Sequence, residues 1–286
     1  MLKIVVSEKK KNSFNWVLLV CVLIALVVLD IHFEVISVNI CSGSGNGHGI
    51  RMLAYNVHSE ANGFSASSPK MMKMILEENP DFVYLTEYYE GTDETLQQTL
   101  EQHYPYVNRK HRWGANEGEA FYSQWQIDSV WRIKLSGHFS AIFRVQIHKE
   151  TDTLAIYCCH LSSNNLKLGE GRWASLEEGR KLRAKEADAI IEALQKEQYP
   201  AIVMGDMNDV SGSYALRRLE AAGLDDAWWD GGLGYGSTYS EGWLKLRIDH
   251  ILYDKKKLNL KFVDVVGDYK CSDHRAVLAG LEKLSH

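Results

Sequence analysis

Six short apolar runs in this 286-residue chain each lead to a carboxylate, carboxamide or imidazole, and no other feature constrains the fold as strongly. Leu53-Ala54-Tyr55 leads into Asn56, residues 82–86 into Glu87, residues 155–159 into His160, residues 202–205 into Asp206, and residues 246–248 into Asp249; Ser272-Asp273-His274 stands immediately before the last run. Apolar runs of this length are too short for helices and suit strands buried in a sheet. In the clearest of them, Ala201-Ile202-Val203-Met204, Gly205 is expected to stop the strand by opening the backbone to unusual dihedrals. Asp206 and Asn208 then emerge, and two residues apart on an extended chain they share one side. Taken singly, each polar residue reads as a turn former, a strand-end acid or a core histidine. Six together are different, because half-buried polar groups cost free energy unless they satisfy one another. A shared site at the carboxyl ends of the strands, where ligands of α/β folds sit, is the economical expectation.

The chain divides into an N-terminal tail over 1–41, a Gly/Ser-rich linker over 42–49 and a single domain over 50–286. In the tail, lysines at 9–11 precede fourteen residues, 16–29, without a polar side chain. As a helix these cover ~21 Å, short of the ~30 Å hydrocarbon core of a bilayer. Phe14, Ile31, Phe33, Val35 and Ile36 extend the segment, while Asp30, His32 and Glu34 interrupt the extension. It reads as a membrane anchor, a signal peptide or a core helix. The anchor is the expectation here, since no small-x-small cleavage site follows. Lysines before the run and acids after it place the body of the protein on the non-cytoplasmic side, or outside the cell if the segment is cleaved.

Within the domain the pattern predicts a strand from residue 50, a helix over 70–79 with Ser68 and Pro69 as cap and first-turn proline, a strand over 81–87 and a surface helix over 92–104. Runs at 119–124, 127–135, 138–148 and 153–160 then read as successive antiparallel neighbours. A long helix over 172–198, the strand at 201, a short helix ending near Gly223, an aromatic and glycine-rich loop over 227–243 and strands at 247–253, 258–266 and 275–280 complete the chain. Two strand-rich halves with helices between them point to two sheets packed face to face and covered by helices.

The formal net charge is −5; residues 1–49 hold four basic and three acidic groups, so the domain carries 28 basic against 34 acidic. An acidic domain argues against tight duplex-DNA binding, whose affinity comes largely from neutralising phosphates. The five cysteines, Cys21, Cys41, Cys158, Cys159 and Cys271, are odd in number and lack metal-ligand spacing, so no disulfide framework is read from them. Cys158 and Cys159, adjacent in a strand, are expected to be buried thiols facing opposite sides.

The ordered set Tyr-Asn-Val at 55–57, Leu-Thr-Glu at 85–87, His-Leu-Ser at 160–162, Gly-Asp-Met-Asn at 205–208, Arg-Ile-Asp-His-Ile at 247–251 and Ser-Asp-His at 272–274 resembles the endonuclease/exonuclease/phosphatase superfamily from about Ile50 to the C-terminus. The resemblance implies a deoxyribonuclease-like four-layer α/β sandwich, two packed mixed sheets covered by helices, and metal-dependent cleavage of phosphate esters. Two departures stand out. Glu119-Ala120-Phe121-Tyr122-Ser123 replaces the family's usual asparagine-alanine-apolar-apolar-serine run, and Gln126 replaces a customary proline.

The chemistry explains the residue types. Mg²⁺, or Mn²⁺ in its place, takes hard oxygen ligands and keeps several waters, so Glu87 with help from Asn56 and Asp273 is a sufficient cage. Asp206 is the candidate to orient and deprotonate an attacking water, with Asn208 holding a phosphate oxygen. His160 and His274 can donate to charge building on the phosphoryl group, and the family pattern pairs Asp249 with His274. His250, next to Asp249 in a strand, points the other way and reads as structural.

Around the site, Arg109-Lys110-His111-Arg112-Trp113 and the loop carrying Trp228, Trp229, Tyr235, Tyr239 and Trp243 either grip a second phosphate and stack a base, sugar or lipid, or are a solvated turn and a packed loop. The expectation is a monomeric phosphodiesterase or phosphatase of unspecified phosphate-ester class, with a nuclease acting on DNA or RNA as one alternative. A catalytically silent, membrane-tethered binding domain of the same fold is the other. The enzyme is favoured because every group the chemistry needs is present.

Overall fold

The computed structural model describes residues 8–33, 38–39, 49–58, 64–89, 94–111, 117–133, 135, 141–164 and 172–284. In chain order these form α1 (Glu8–Phe33), β1 (Val38–Asn39), β2 (Ile50–Asn56), α2 (Phe64–Glu78), β3 (Phe82–Tyr89), α3 (Glu94–His103), β4 (Tyr106–His111), β5 (Glu117–Ser123), β6 (Gln126–Arg132), β7 (Ala141–Lys149) and β8 (Asp152–His160). There follow α4 (Arg172–Leu194), β9 (Ala201–Asp206), α5 (Tyr214–Ala221), β10 (Leu224–Asp226), α6 (Ala227–Gly231), β11 (Gly232–Leu233), β12 (Tyr239–Glu241), β13 (Leu244–Leu246), β14 (Asp249–Asp254), β15 (Leu258–Val266) and β16 (Ala276–Lys283).

Two six-stranded mixed sheets carry the fold, one in the order β15-β16-β2-β3-β5-β4 and the other β10-β14-β9-β8-β7-β6. Strand alternation sorts the apolar side chains into three layers of core. Met52, Ala54, Phe82, Tyr84 and Phe121 of the first sheet meet Leu154, Ile156, Cys158, Ile202, Met204 and Ile251 of the second between the sheets. The intervening residues Leu53, Tyr55, Val83 and Leu85 point outward under Met71 and Ile75 of α2 and Leu96 and Leu100 of α3. On the other side Tyr157, Cys159, Val203 and Leu252 pack under Ala187 and Ile190 of α4 and Leu216 and Leu219 of α5. Helix, sheet, sheet, helix is the expected four-layer sandwich, and the two neighbouring cysteines are buried on opposite faces as expected.

Several local expectations are corrected. The second helix starts at Phe64, so Pro69 lies inside it. Proline has no N–H for the Ser65 carbonyl, and the Ser68 hydroxyl donates to that oxygen instead at 3.4 Å. The four runs read as consecutive neighbours are split: β5 pairs with β3 and β4, while β6, β7 and β8 belong to the other sheet. The chain changes sheet at Trp125, whose amide bonds Ser123 Oγ and whose indole bonds Asp81; turn residues mark that break without saying which sheet follows. The aromatic loop is partly structural. Trp228 is buried, and at Gly232 and Gly236 a Cβ would stand 2.3 and 2.2 Å from its indole, so glycine is what lets the backbone pass the ring. Gly205 does not stop β9, which runs through it to Asp206.

Of the tail, α1 is described, with its apolar side chains from Trp16 to Val28 exposed. Among the described residues no helix is long and apolar enough to cross a membrane, so the expected spanning segment is not supported; the run without polar side chains is shorter than a bilayer core. The linker at 42–48 and the residues Arg112 and Trp113 lie outside the described residues.

Two buried features hold the second sheet. Arg247 donates to both Asp226 oxygens at 3.1 and 3.0 Å, and His250 Nδ1 meets Asp226 Oδ2 at 2.9 Å. Burial works against this carboxylate, but His250 and Arg247 outweigh it and hold Asp226 at about 2. His250 is thus a structural residue, fully buried and also bonded to the Asp209 carbonyl. The other feature is Gly205, at φ +130°, where a Cβ would lie 2.1 Å from the Cys159 carbonyl and 2.8 Å from the Tyr84 ring. Gly205→Ala combines a strained φ with a backbone clash, each worth ~1–3 kcal/mol. A loss of at least about 2 kcal/mol by urea unfolding is expected, and a wild-type midpoint would refute the close packing.

Candidate active site

The inter-sheet core ends in a polar layer, because five of the strands that contribute apolar side chains to it place a polar one at the next inward position. Beyond Ala54 comes Asn56, beyond Cys158 His160, beyond Met204 Asp206, before Ile251 Asp249, and before Phe121 Glu119. Pairing aligns these ends: His160 sits opposite Asp206 in the β8–β9 register, and Asp206 opposite Asp249 in β9–β14. One expectation changes here. Asp249 begins its strand, and reaches the same end as Asp206 because β14 runs antiparallel to β9.

Glu87 needs a different device. Regular alternation would turn it away from the inter-sheet side that Phe82 and Tyr84 face. Between Leu85 and Tyr88 the β3–β5 register shifts, so Thr86 and Glu87 together oppose the single residue Glu119. Such a bulge re-aims a side chain, and Glu87 adopts φ 51° within it.

Asn56 joins the layer into one unit. Its Nδ2 donates to Glu87 Oε1 at 2.9 Å and to Asp206 Oδ2 at 3.1 Å, while its carbonyl oxygen accepts the His58 amide at 3.1 Å. His160 Nε2 lies 3.7 Å from Glu87 Oε1 and 4.0 Å from Asp206 Oδ2. His274 Nδ1 bonds Asp249 Oδ2 at 2.8 Å, and its Nε2 lies 3.9 Å from Asp206 Oδ2. Asp206 Oδ1 accepts the Asn208 amide at 2.8 Å, and the Asn208 carboxamide nitrogen is committed to the Leu161 carbonyl at 2.9 Å. Asp273 pairs with His58 Nδ1 at 2.8 Å. The residues singled out from the sequence thus converge, with Asn208 and Asp273 each on its own local partner.

Burial, and then the neighbouring Asp249 carboxylate, push Asp206 above the usual carboxylate range, against the pull of His274, His160 and the Asn208 amide. Burial opposes the charge on His274, but Asp249, Asp206 and Asp273 more than offset it and raise the imidazole to about 10. For Asp273 burial is outweighed by the His58 bond and the charges of His274 and His58, which hold it low. The hydrogen bond to Asp273 raises His58.

Sequence reasoning missed two residues here. Glu119 was visible as the inward position before Phe121, and His58, at φ 43° two residues beyond Asn56, had no signal in the sequence. Arg109 is paired with Glu101, which makes it structural at that point. Tyr239 packs against His274 with ring centroids 4.9 Å apart, so one aromatic of the 227–243 loop does reach the site. Trp229 and Trp243 are exposed.

The donor set fits a divalent cation. Ligand atoms of Glu87, His160 and Asp206, and of Asp206, Asp249 and His274, lie within 4.8 Å of one another. Asp249 Oδ1 is buried without a hydrogen-bond partner, and carboxylate and carboxamide oxygens are what hard cations select.

Comparison with known proteins agrees with this geometry. The Endonuclease/Exonuclease/phosphatase family profile matches residues 53–274. Similar solved structures include a humanized D. rerio TDP2 carrying 14 mutations (16% identity, 82% of this chain and 100% of that chain, TM-score 0.67) and the human Nocturnin catalytic domain with bound sulfate anion (18%, 88% and 98%, 0.65). D. rerio TDP2 complexed with single strand DNA product is a third (14%, 82% and 100%, 0.65). No curated protein matches the chain.

The Asp249–His274 pair makes stability depend on pH. Because folding raises the imidazole from 6.5 to about 10, its stabilisation is complete below about pH 6.5 and is lost as the pH rises through about 10. Thermal unfolding across that window should show a falling Tm for the wild type and a flatter profile for Asp249→Asn; parallel profiles would refute the pairing.

Proposed function

The chain belongs to the Endonuclease/Exonuclease/phosphatase family, and we propose that it is a divalent-cation-dependent hydrolase of phosphate esters in which an activated water attacks phosphorus in line with the leaving oxygen. The observation that carries this reading is the Asn56 carboxamide bridging Glu87 and Asp206, with the Nε2 atoms of two imidazoles 3.9 and 4.0 Å from the same Asp206 oxygen.

Asp206 orients the attacking water and takes its proton, a task suited to a carboxylate held above its usual range by burial and by Asp249. His274 faces the phosphoryl group as an imidazolium, since Asp249 holds its Nδ1–H and keeps the charge. It donates to the negative charge that builds there, and His160 does so from the other side. The Asn208 amide fixes the Asp206 carboxylate, and its carboxamide nitrogen, bonded to the Leu161 carbonyl, ties the turn after β9 to the end of β8. Glu87, whose carboxylate belongs to one of the clusters of ligand atoms, would hold Mg²⁺ or Mn²⁺, with Asn56 and Asp273 completing the set that the family resemblance implies. When bound, the cation neutralises phosphoryl oxygens.

The single strand DNA product held by one structurally similar protein puts nucleic-acid diesters among the substrates to test. We further propose that the exposed apolar run from Trp16 to Val28 attaches the protein to a membrane, with the catalytic domain on the non-cytoplasmic side. Vesicle flotation tests this: the full chain should float, and a chain lacking residues 1–47 should remain in solution while hydrolysing substrate at the same rate per molecule.

The reading is tested by a hydrolysis panel of plasmid DNA, single-stranded RNA, sphingomyelin, inositol phosphates and a chromogenic phosphodiester, with and without chelator. Activity surviving exhaustive chelation would rule out the cation. On the best substrate, Asp206→Asn should lower turnover by at least ~10²-fold with substrate binding retained. Glu87→Gln should lose activity that excess Mg²⁺ partly restores. Near-normal turnover of folded Asp206→Asn would refute the assigned base.

A further inference from the structure

We propose that the β1–β11 pairing is a clasp that fixes the domain against a phospholipid bilayer, with Trp229 and Leu233 entering the headgroup layer; this rests on the membrane attachment proposed above for residues 16–28. Val38 and Asn39 of the tail pair antiparallel with Leu233 and Gly232 of the domain. The chain is therefore fastened to the domain before the Gly/Ser-rich linker begins. Only residues 34–37 separate the end of α1 at Phe33 from β1 at Val38. At ~3.6 Å per residue, that connection reaches at most ~18 Å, whereas a free tether from Phe33 to Ile50 would reach ~60 Å. Two further contacts agree with the clasp: β1 lies against β15 of the first sheet, and α1 runs beside β13. A domain held this closely to its anchor keeps one face turned to the lipid.

The surface at the clasp suits that contact. Trp229 is 67% exposed and Leu233 40%, whereas Trp228, the neighbour of Trp229 in α6, is buried. Successive residues of a helix point about 100° apart, so when one indole of this pair fills the core the other is turned outward. Trp229 is nevertheless held in place. Arg247, buried and bonded to both Asp226 oxygens, stands under its ring at 5.8 Å, which leaves the indole fixed yet exposed. A rigid tryptophan is the side chain that membrane–water interfaces favour. Because the arginine is already paired, the contact is apolar, and lipid without net charge is sufficient for it. Stable anchoring generally takes two signals, and the clasp places this patch where it can act as the second beside the apolar run of α1. Tyr239, six residues beyond Leu233 in the same loop, packs against His274, so the site lies within one loop of the lipid contact.

The test uses the full chain on phosphatidylcholine vesicles whose acyl chains are brominated close to the headgroup, where bromine quenches tryptophan fluorescence. The clasp is opened by Val38→Pro combined with Asn39→Pro, which removes two backbone donors and leaves α1 and the domain unchanged. In each background the Trp229 signal is the difference from the same chain carrying Trp229→Phe. All forms should float with the vesicles. With the clasp intact, Trp229 emission should fall at least ~2-fold, since a ring in the headgroup layer sits within ~5–10 Å of the acyl boundary; with the clasp open the quenching should be lost. Equal quenching in the two backgrounds overturns the clasp. An unquenched Trp229 in a wild type that floats overturns the docking face and leaves attachment through residues 16–28 standing, whereas a wild type that does not float refutes that attachment and this proposal with it. Amide exchange over residues 228–236 of the wild type gives a measure independent of the proline variants and of their folding: it should be slower on vesicles than in solution, and equal exchange overturns the proposal.

Discussion

The bond from the Asn56 carboxamide to two carboxylates is the contact on which the rest of the site depends. Glu87 and Asp206 come from different sheets, and without a shared donor they would repel each other at the edge of a low-dielectric core. Asn56 Nδ2 satisfies one oxygen of each, and the His58 amide satisfies Asn56 in return. A polar layer that closes the inter-sheet core is tolerable only because its members answer one another in this way.

Reaching that arrangement requires the backbone to leave its regular path at a few points. Three of the five non-glycine residues with positive φ among the described residues, His58, Glu87 and Asn208, lie at the site. Each aims a group: His58 turns its amide to Asn56, Glu87 turns inward through the bulge, and Asn208 turns its amide to Asp206. Gly205, one residue before Asp206, lets β9 press against the Cys159 carbonyl, which brings Asp206 level with His160. Strain of this kind persists where the surrounding packing over-determines it, and both sheets pack tightly here.

Two histidine–carboxylate clusters on neighbouring faces of one strand show how environment separates structure from chemistry. His250, on the outer face of β14, is bonded to Asp226 beside Arg247, with the group fully satisfied, and against the cost of burial the histidine first and then the arginine hold Asp226 at about 2. His274 and Asp249 lie on the inner face, without an arginine and with an Asp249 oxygen unpartnered. The first is a closed knot that stabilises the fold, whereas the second leaves donor and acceptor capacity directed at the place where substrate would sit.

Much of this was legible in the chain itself. Period-two alternation and short apolar runs determined the strands, the layers and the polar residue beyond each run, because side-chain direction along an extended chain is a local property. Asn56, His160, Asp206 and Asp249 follow from that alone, as does the separation of His250 from its neighbour. What only the tertiary structure decided is everything that depends on which strand lies beside which. The sequence does not show that β5 and β6 belong to different sheets, that Asp249 reaches the site by running antiparallel to β9, or that a bulge opposite Glu119 turns Glu87 inward. Nor does it show His58 bonded to Asp273, since that contact joins residues far apart in the chain, and a local pattern carries no information about the partner that packing will supply.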